Sequence, residues 1–208
     1  MATKSNKSSK KIISKNYNLH KFIGNLLIVF SLILIYLIFY PVFKEELNYQ
    51  INTKRGVTEN KQIEPPNTNF SIVIPKINAV APVFKNVDPF NRNIFLPVLK
   101  KGVAHAKGSS LPGEGGNVYI FAHSTDAFYN VGNYNAIFYL LGKLKKGDEI
   151  DIYYKEVLYK YSVDEIKVVA ATDTKYLKKL KDTETLTLQT CYPPGTTLKR
   201  LIITANKI

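Results

Sequence analysis

The chain has one cysteine and three histidines, so any thiol chemistry must run through Cys191, with His20, His105 or His123 as its proton partner. A cysteine acyl transfer needs a thiolate to attack a carbonyl carbon, a group that protonates the departing amine, and a donor for the tetrahedral oxyanion. Histidine is the side chain suited to the proton, since its ordinary pKa lies near neutrality. Arg200 suits the oxyanion, because its guanidinium is always charged and offers a rigid fork of donors in a chain that otherwise relies on lysine. The turn Pro193-Pro194-Gly195 between Cys191 and Arg200 predicts an antiparallel hairpin with both residues on one face. Each residue also has a plainer reading. A free cysteine often packs as a small hydrophobe, a histidine can be a satisfied structural group, and an arginine on a strand can be a solvated charge. A disulfide within the chain is excluded, and the scattered histidines and cysteine lack zinc-ligand spacing.

The segments that must position these residues begin with an apolar stretch. Residues 22–43 are free of charge and long enough to cross a bilayer. Before them stand Lys4, Lys7, Lys10, Lys11, Lys15 and Lys21 with no acidic residue, which predicts a cytoplasmic tail over residues 1–21 and an extracellular remainder. The exit Tyr40-Pro41-Val42-Phe43-Lys44 lacks the small residues of a signal-peptidase site, so an uncleaved single-pass anchor is expected in the cell membrane. His20 then lies on the wrong side to serve Cys191. The net charge of +13 owes much to the tail, where lysines set topology and meet anionic lipid; no nucleic-acid partner is expected.

Residues 44–69, rich in Asn, Thr and Pro, read as an extracellular stalk. Residues 70–208 read as one mainly β domain. Phe70, Ile72 and Ile74 alternate with smaller or outward residues, and strands follow at 80–84, 118–122, 149–154, 158–170, 185–190 and 201–205. Short helices are expected at 92–100, 136–145 and 175–181. Many short strands with few helices predict a closed or nearly closed β-barrel. His123 ends one of these strands and opens the polar run Ser124-Thr125-Asp126, as a residue leaving the core for a cleft would.

Several segments together resemble the sortases, membrane-anchored cysteine transpeptidases. Gly102-Val103-Ala104-His105, Leu111-Pro112-Gly113-Glu114-Gly115-Gly116-Asn117-Val118 and Phe121-Ala122-His123-Ser124 resemble the run into the sortase histidine. Thr187-Leu188-Gln189-Thr190-Cys191 resembles the TLxTC signature, and Lys199-Arg200-Leu201-Ile202 the arginine segment. Ile74-Pro75-Lys76-Ile77 and Lys146-Gly147-Asp148 match in order. The resemblance implies a sortase-like β-barrel in which Cys191, His123 and Arg200 are catalytic. It further implies a thioester formed on an LPxTG-like sorting signal near the C-terminus of an exported protein. An amine of a peptidoglycan precursor or a pilin lysine then resolves that thioester.

Thr190, Tyr192 and His105 are candidate substrate-groove residues, set against a plain strand position, simple packing and a structural histidine respectively. Asp88-Pro89-Phe90 resembles the lid motif of pilus-building sortases but follows the first strands, and reads as an ordinary turn. Glu114, Asp126 and Asp173 form no dense cluster, so neither a metal nor another cofactor is expected. A peptidoglycan L,D-transpeptidase expects a His-Gly-Cys motif, and a papain-like hydrolase places cysteine before histidine; neither matches. The remaining alternative is a membrane-anchored, non-catalytic β-domain that binds envelope partners and keeps Cys191 buried.

Overall fold

The computed structural model describes residues 20–37, 40, 46–47, 50–51, 63–124, 137–177 and 183–208. The chain divides into two units, Met1–Pro41 and Val42–Ile208. In the first, helix α1 (His20–Leu37) has a mean hydropathy of 1.9 over 18 residues, enough by length and composition to cross a membrane. Its large apolar side chains, including Phe22, Leu26, Phe30 and Leu34, are exposed along the whole helix. The last part of the expected span, at 38–39 and 41–43, lies outside the described residues.

The second unit is a closed eight-stranded barrel. Its strands are β1 (Phe70–Ile74), β2 (Ala79–Val87), β3 (Val103–Ala106), β4 (Asn117–Phe121), β5 (Glu149–Tyr154), β6 (Val157–Ala170), β7 (Thr185–Tyr192) and β8 (Lys199–Lys207). They run in the order β1-β2-β3-β4-β7-β8-β6-β5, and β5 pairs back onto β1 to close the ring. Helix α2 (Arg92–Leu99) and short 3-10 turns such as Tyr139–Lys143 and Lys175–Leu177 decorate it. The expected helices at 136–145 and 175–181 are these turns over their described parts; 136 and 178–181 lie outside the described residues.

Strand alternation decides which side chains fill the barrel. Ile72, Ile74, Val118, Ile120, Ile150, Ile152, Leu186, Leu188 and Ile203 are all fully buried and form its interior. The opposite face of β4 is buried as well, and α2 covers its end: the rings of Phe95 and Phe121 meet edge to face at 6.0 Å. Strand β3 was not expected. Four residues, every one buried, show no alternation from which to read a strand. It runs parallel to β2, and Gly102 makes the approach possible, since a Cβ there would lie 2.4 Å from the Pro82 carbonyl oxygen.

Two pairings are parallel, β2 with β3 and β4 with β7. The second matters for the site, because it brings the C-terminal ends of β4 and β7 to the same end of the barrel.

Candidate active site

The site grows out of the β4–β7–β8 ladder. In the parallel pair, Val118 faces Leu186, Ile120 faces Leu188 and Phe121 faces Gln189. The ladder continues one residue beyond β4. The Ala122 N–H donates to the Gln189 carbonyl at 3.1 Å, and the Thr190 hydroxyl donates to the Ala122 carbonyl at 3.0 Å. The next residues along the two strands are His123 and Cys191. On the other side of β7 the antiparallel register sets Cys191 directly opposite Arg200. Cysteine and arginine therefore sit opposite each other on strands about 4.8 Å apart, and the histidine follows directly on Ala122, the last residue tied to the cysteine strand.

Cys191, His123 and Arg200 are each half-buried. Burial pushes the Cys191 thiol above its ordinary pKa, and the Arg200 charge offsets part of that shift. A thiol shifted in this direction holds its proton more tightly, and a nucleophilic role calls for a base beside it. Arg200 Nη1 donates to the carbonyl oxygens of Thr197 at 3.1 Å and Lys199 at 3.0 Å, which anchors the guanidinium at the β7–β8 turn. Its field also reaches the Tyr119 phenol. Burial drives that phenol's pKa strongly upward and Arg200 opposes the shift, while the hydroxyl donates to Gln189 Oε1.

Thr190 and Leu201 sit one residue along from Cys191 and Arg200 and so face the other way, into the barrel mouth; both are buried. There a cavity of about 370 Å³ is lined by Ser124, Leu140, Thr190, Cys191, Tyr192 and Leu201 among others. Glu46 and Lys143 also line it and form an ion pair at 3.0 Å. The bond from Lys143, with a second from Gln50, holds the Glu46 carboxyl below its ordinary pKa. Tyr192 walls the cavity and keeps 38% of its surface exposed, enough to meet a ligand.

His105 is not part of this site. It lies on β3 opposite Ile120, on the interior face, with no exposed surface. Its Nδ1 accepts the Asn86 N–H at 3.3 Å, so the proton sits on Nε2, which donates to the Ser110 carbonyl at 3.0 Å. The Ser109 hydroxyl donates to the Ala106 carbonyl at 2.8 Å and leaves its oxygen facing Nε2 at 2.9 Å. Burial lowers the imidazole pKa and keeps it neutral. The groove-lining expectation for His105 gives way to the structural one, because a side chain without accessible surface cannot touch a substrate.

His20 lies on α1. Among the described residues no cluster of three or more histidine, cysteine or carboxylate side chains is arranged to hold a metal ion. Glu114 accepts the Leu111 N–H at 3.0 Å, Asp173 pairs with Lys175 at 3.1 Å, and Asp126 lies outside the described residues. Asp88 accepts the Phe90 N–H at 2.9 Å, an Asx turn of the ordinary kind. Sequence reading passed over Ser124, Glu46 and Lys143 as cavity residues. Ser124 carried one local signal, its place directly after His123.

A closed barrel that sets cysteine and arginine opposite each other on adjacent strands, with a histidine just past the end of the next strand and a cavity beside them, defines a candidate thiol acyl-transfer domain. More particularly, the chain belongs to the sortase family: the sortase-domain family model matches residues 72–208. It is similar to sortase D of Bacillus subtilis, 30% identical over 156 residues that cover 72% of this chain and 70% of the relative. Among solved structures it resembles a Clostridium perfringens sortase D5 transpeptidase, with 30% identity and a TM-score of 0.55 over 81% of this chain and 94% of that one. It also resembles sortase A of Corynebacterium diphtheriae, at 32% identity and a TM-score of 0.57 over 71% of this chain and 63% of that one. Membership gives the protein a transpeptidase role. The apolar α1 together with the sortase domain is consistent with a single-pass membrane anchor.

Proposed function

We propose that this protein is a membrane-anchored sortase whose nucleophile is Cys191. The observation that supports the reading is the direct pairing of Cys191 with Arg200 across β7–β8, with His123 two residues past the end of the neighbouring β4 and Cys191 among the residues that line a cavity. The substrate is an exported protein bearing an LPxTG-like sorting signal. His123 takes the thiol proton as sulfur attacks the threonine carbonyl carbon. The C–S bond forms, and the oxyanion is held by Arg200. The C–N bond to glycine then breaks as His123 returns the proton to the departing amine, leaving a thioester. An acceptor amine, from a peptidoglycan precursor or a pilin lysine, attacks the thioester and gives its proton to His123; the C–S bond breaks and the thiol is restored. Residues 1–21 are assigned to the cytoplasm, 22–43 to the membrane, 44–69 to a stalk and 70–208 to the extracellular catalytic domain.

The raised Cys191 pKa fits this order of events, because a thiol that holds its proton more tightly calls for a base to take it as attack begins. The test incubates the detergent-solubilised full chain with LPxTG-like peptides and triglycine and reads products by mass spectrometry. Cleavage at the Thr–Gly bond with ligation to triglycine, abolished in Cys191→Ala, is the expected result. Cleavage that persists in Cys191→Ala rules the mechanism out.

A further inference from the structure

Cys191 has two sides. Toward the outer face of the sheet lies Arg200, its direct partner across the ladder. Toward the barrel mouth lies the cavity, and Arg200 is not among its walls. If Arg200 holds the oxyanion, the carbon bound to sulfur still carries the amine nitrogen as a separate substituent. That nitrogen must point where His123 can reach it, and the residue joined to His123 in the chain is Ser124.

Ser124 is unusual among the cavity walls. Only 1% of its surface is exposed, yet its Oγ has no hydrogen-bond partner. An unsatisfied buried hydroxyl costs roughly 1–3 kcal/mol, a cost that a bound ligand can recover. The hydroxyl of Thr190, the other buried polar residue in the cavity wall, is already given to Ala122. Leu140 and Leu201 supply apolar surface, and the Glu46 carboxylate adds negative charge, largely matched by Lys143. A chain ending in a primary amine, apolar along its stem and a donor at its tip, fits such a lining.

We propose that this cavity is the amine side of the acyl transfer, occupied first by the leaving amine and then by the acceptor, with the Ser124 hydroxyl as the acceptor of an amine N–H. Ser124 is thus a positioning residue: it holds the nitrogen in line with the thioester carbon while His123 removes the proton. Water, which competes for the same thioester, is small enough to react without that anchor. Ser124 therefore sets the partition between ligation and hydrolysis. The inference rests on the sortase reading above and extends it to the acceptor.

The experiment measures that partition in the full-length protein with an LPxTG-like peptide and triglycine, as the ratio of ligated to hydrolysed product. The ratio is independent of how fast the acyl-enzyme forms, so a general loss of activity does not move it. Ser124→Ala is expected to lower the ratio about tenfold at subsaturating triglycine, the scale of one lost hydrogen bond. Ser124→Thr, which keeps the hydroxyl, is expected to stay within about twofold of the parent. An unchanged ratio in Ser124→Ala, or an equal fall in Ser124→Thr, overturns the assignment while leaving the sortase reading intact. Absence of both an acyl-enzyme and any cleavage product in the parent protein overturns both.

Discussion

The Thr190 hydroxyl donates to the Ala122 carbonyl at 3.0 Å, a bond between the residue before the cysteine and the residue before the histidine. With the Ala122 N–H already on Gln189, both polar groups of the Ala122 backbone are tied to β7. The histidine therefore leaves β4 at a height set by the cysteine strand. Thr190, first read as a groove residue, has its hydroxyl proton committed to this clamp.

Thr190→Val, similar in shape but without the hydroxyl, should cost about 1 kcal/mol of stability. It should lower kcat/KM for peptide cleavage about tenfold, since small misplacements of reacting groups are expensive. Thr190→Ser should recover most of the rate. Peptide-cleavage kinetics beside thermal melts check both parts, and a fully active valine variant would remove the clamp from the catalytic account.

Thiol reactivity should report the Arg200 field. Burial raises the Cys191 pKa and Arg200 lowers it, so Arg200→Gln withdraws that favourable influence and the pKa rises further. At a fixed neutral pH the thiolate fraction falls, and labelling by a neutral alkylating reagent should slow about threefold, a modest change because the pair is half-exposed. The whole pH profile of labelling should move to higher pH. A profile that stays in place would show that Arg200 and Cys191 do not communicate electrostatically.

Acid should destabilise the barrel through His105. Its folded pKa is depressed by burial, so below about pH 6.5 the unfolded chain binds a proton that the folded chain refuses. Stability is thus full above that value and falls as the pH drops below it. His105→Gln, which keeps a donor for the Ser110 carbonyl, should flatten the pH dependence of Tm between about 5 and 7. It should also cost roughly 1–3 kcal/mol from the broken Asn86 contact. Melting curves across pH decide this, and an unchanged slope in the variant would assign the acid sensitivity elsewhere.

Glu184 should be the most sensitive carboxylate outside the site. It accepts from the Tyr161 hydroxyl at 2.7 Å, the Gly113 N–H at 3.1 Å and Lys207 Nζ at 3.2 Å. Burial opposes its charge, but these bonds outweigh burial and hold its pKa below the ordinary value. Glu184→Ala strands the buried Tyr161 hydroxyl and should lower stability by about 2–3 kcal/mol, read by urea denaturation. A loss no larger than that of an exposed ion pair would refute the role.

Much of this was legible in local patterns. Phe70, Ile72 and Ile74 announce β1 by alternation, the uncharged run announces α1, and Pro193-Pro194-Gly195 announces the hairpin that pairs Cys191 with Arg200. Side-chain periodicity and turn chemistry report which face a residue takes and which neighbour a short turn brings back. Preferring His123 to His105 as the candidate partner of the thiol drew on the family resemblance, since both stand beside apolar residues. The tertiary structure separates them, sending His105 into the interior opposite Ile120 and carrying His123 out past the end of β4.

What the sequence by itself determined is therefore the inventory: an apolar helix long enough to cross a membrane, a set of short strands, one thiol, and an arginine across a hairpin from it. What only the tertiary structure decided is the assembly. The bond from Thr190 to Ala122 spans 68 residues of chain. The parallel pairing of β4 with β7 depends on closing the barrel through strands between and beyond them, and no local period encodes that partner choice. The cavity with its unpartnered Ser124 hydroxyl has the same origin, for its walls come from segments that meet only when the barrel closes.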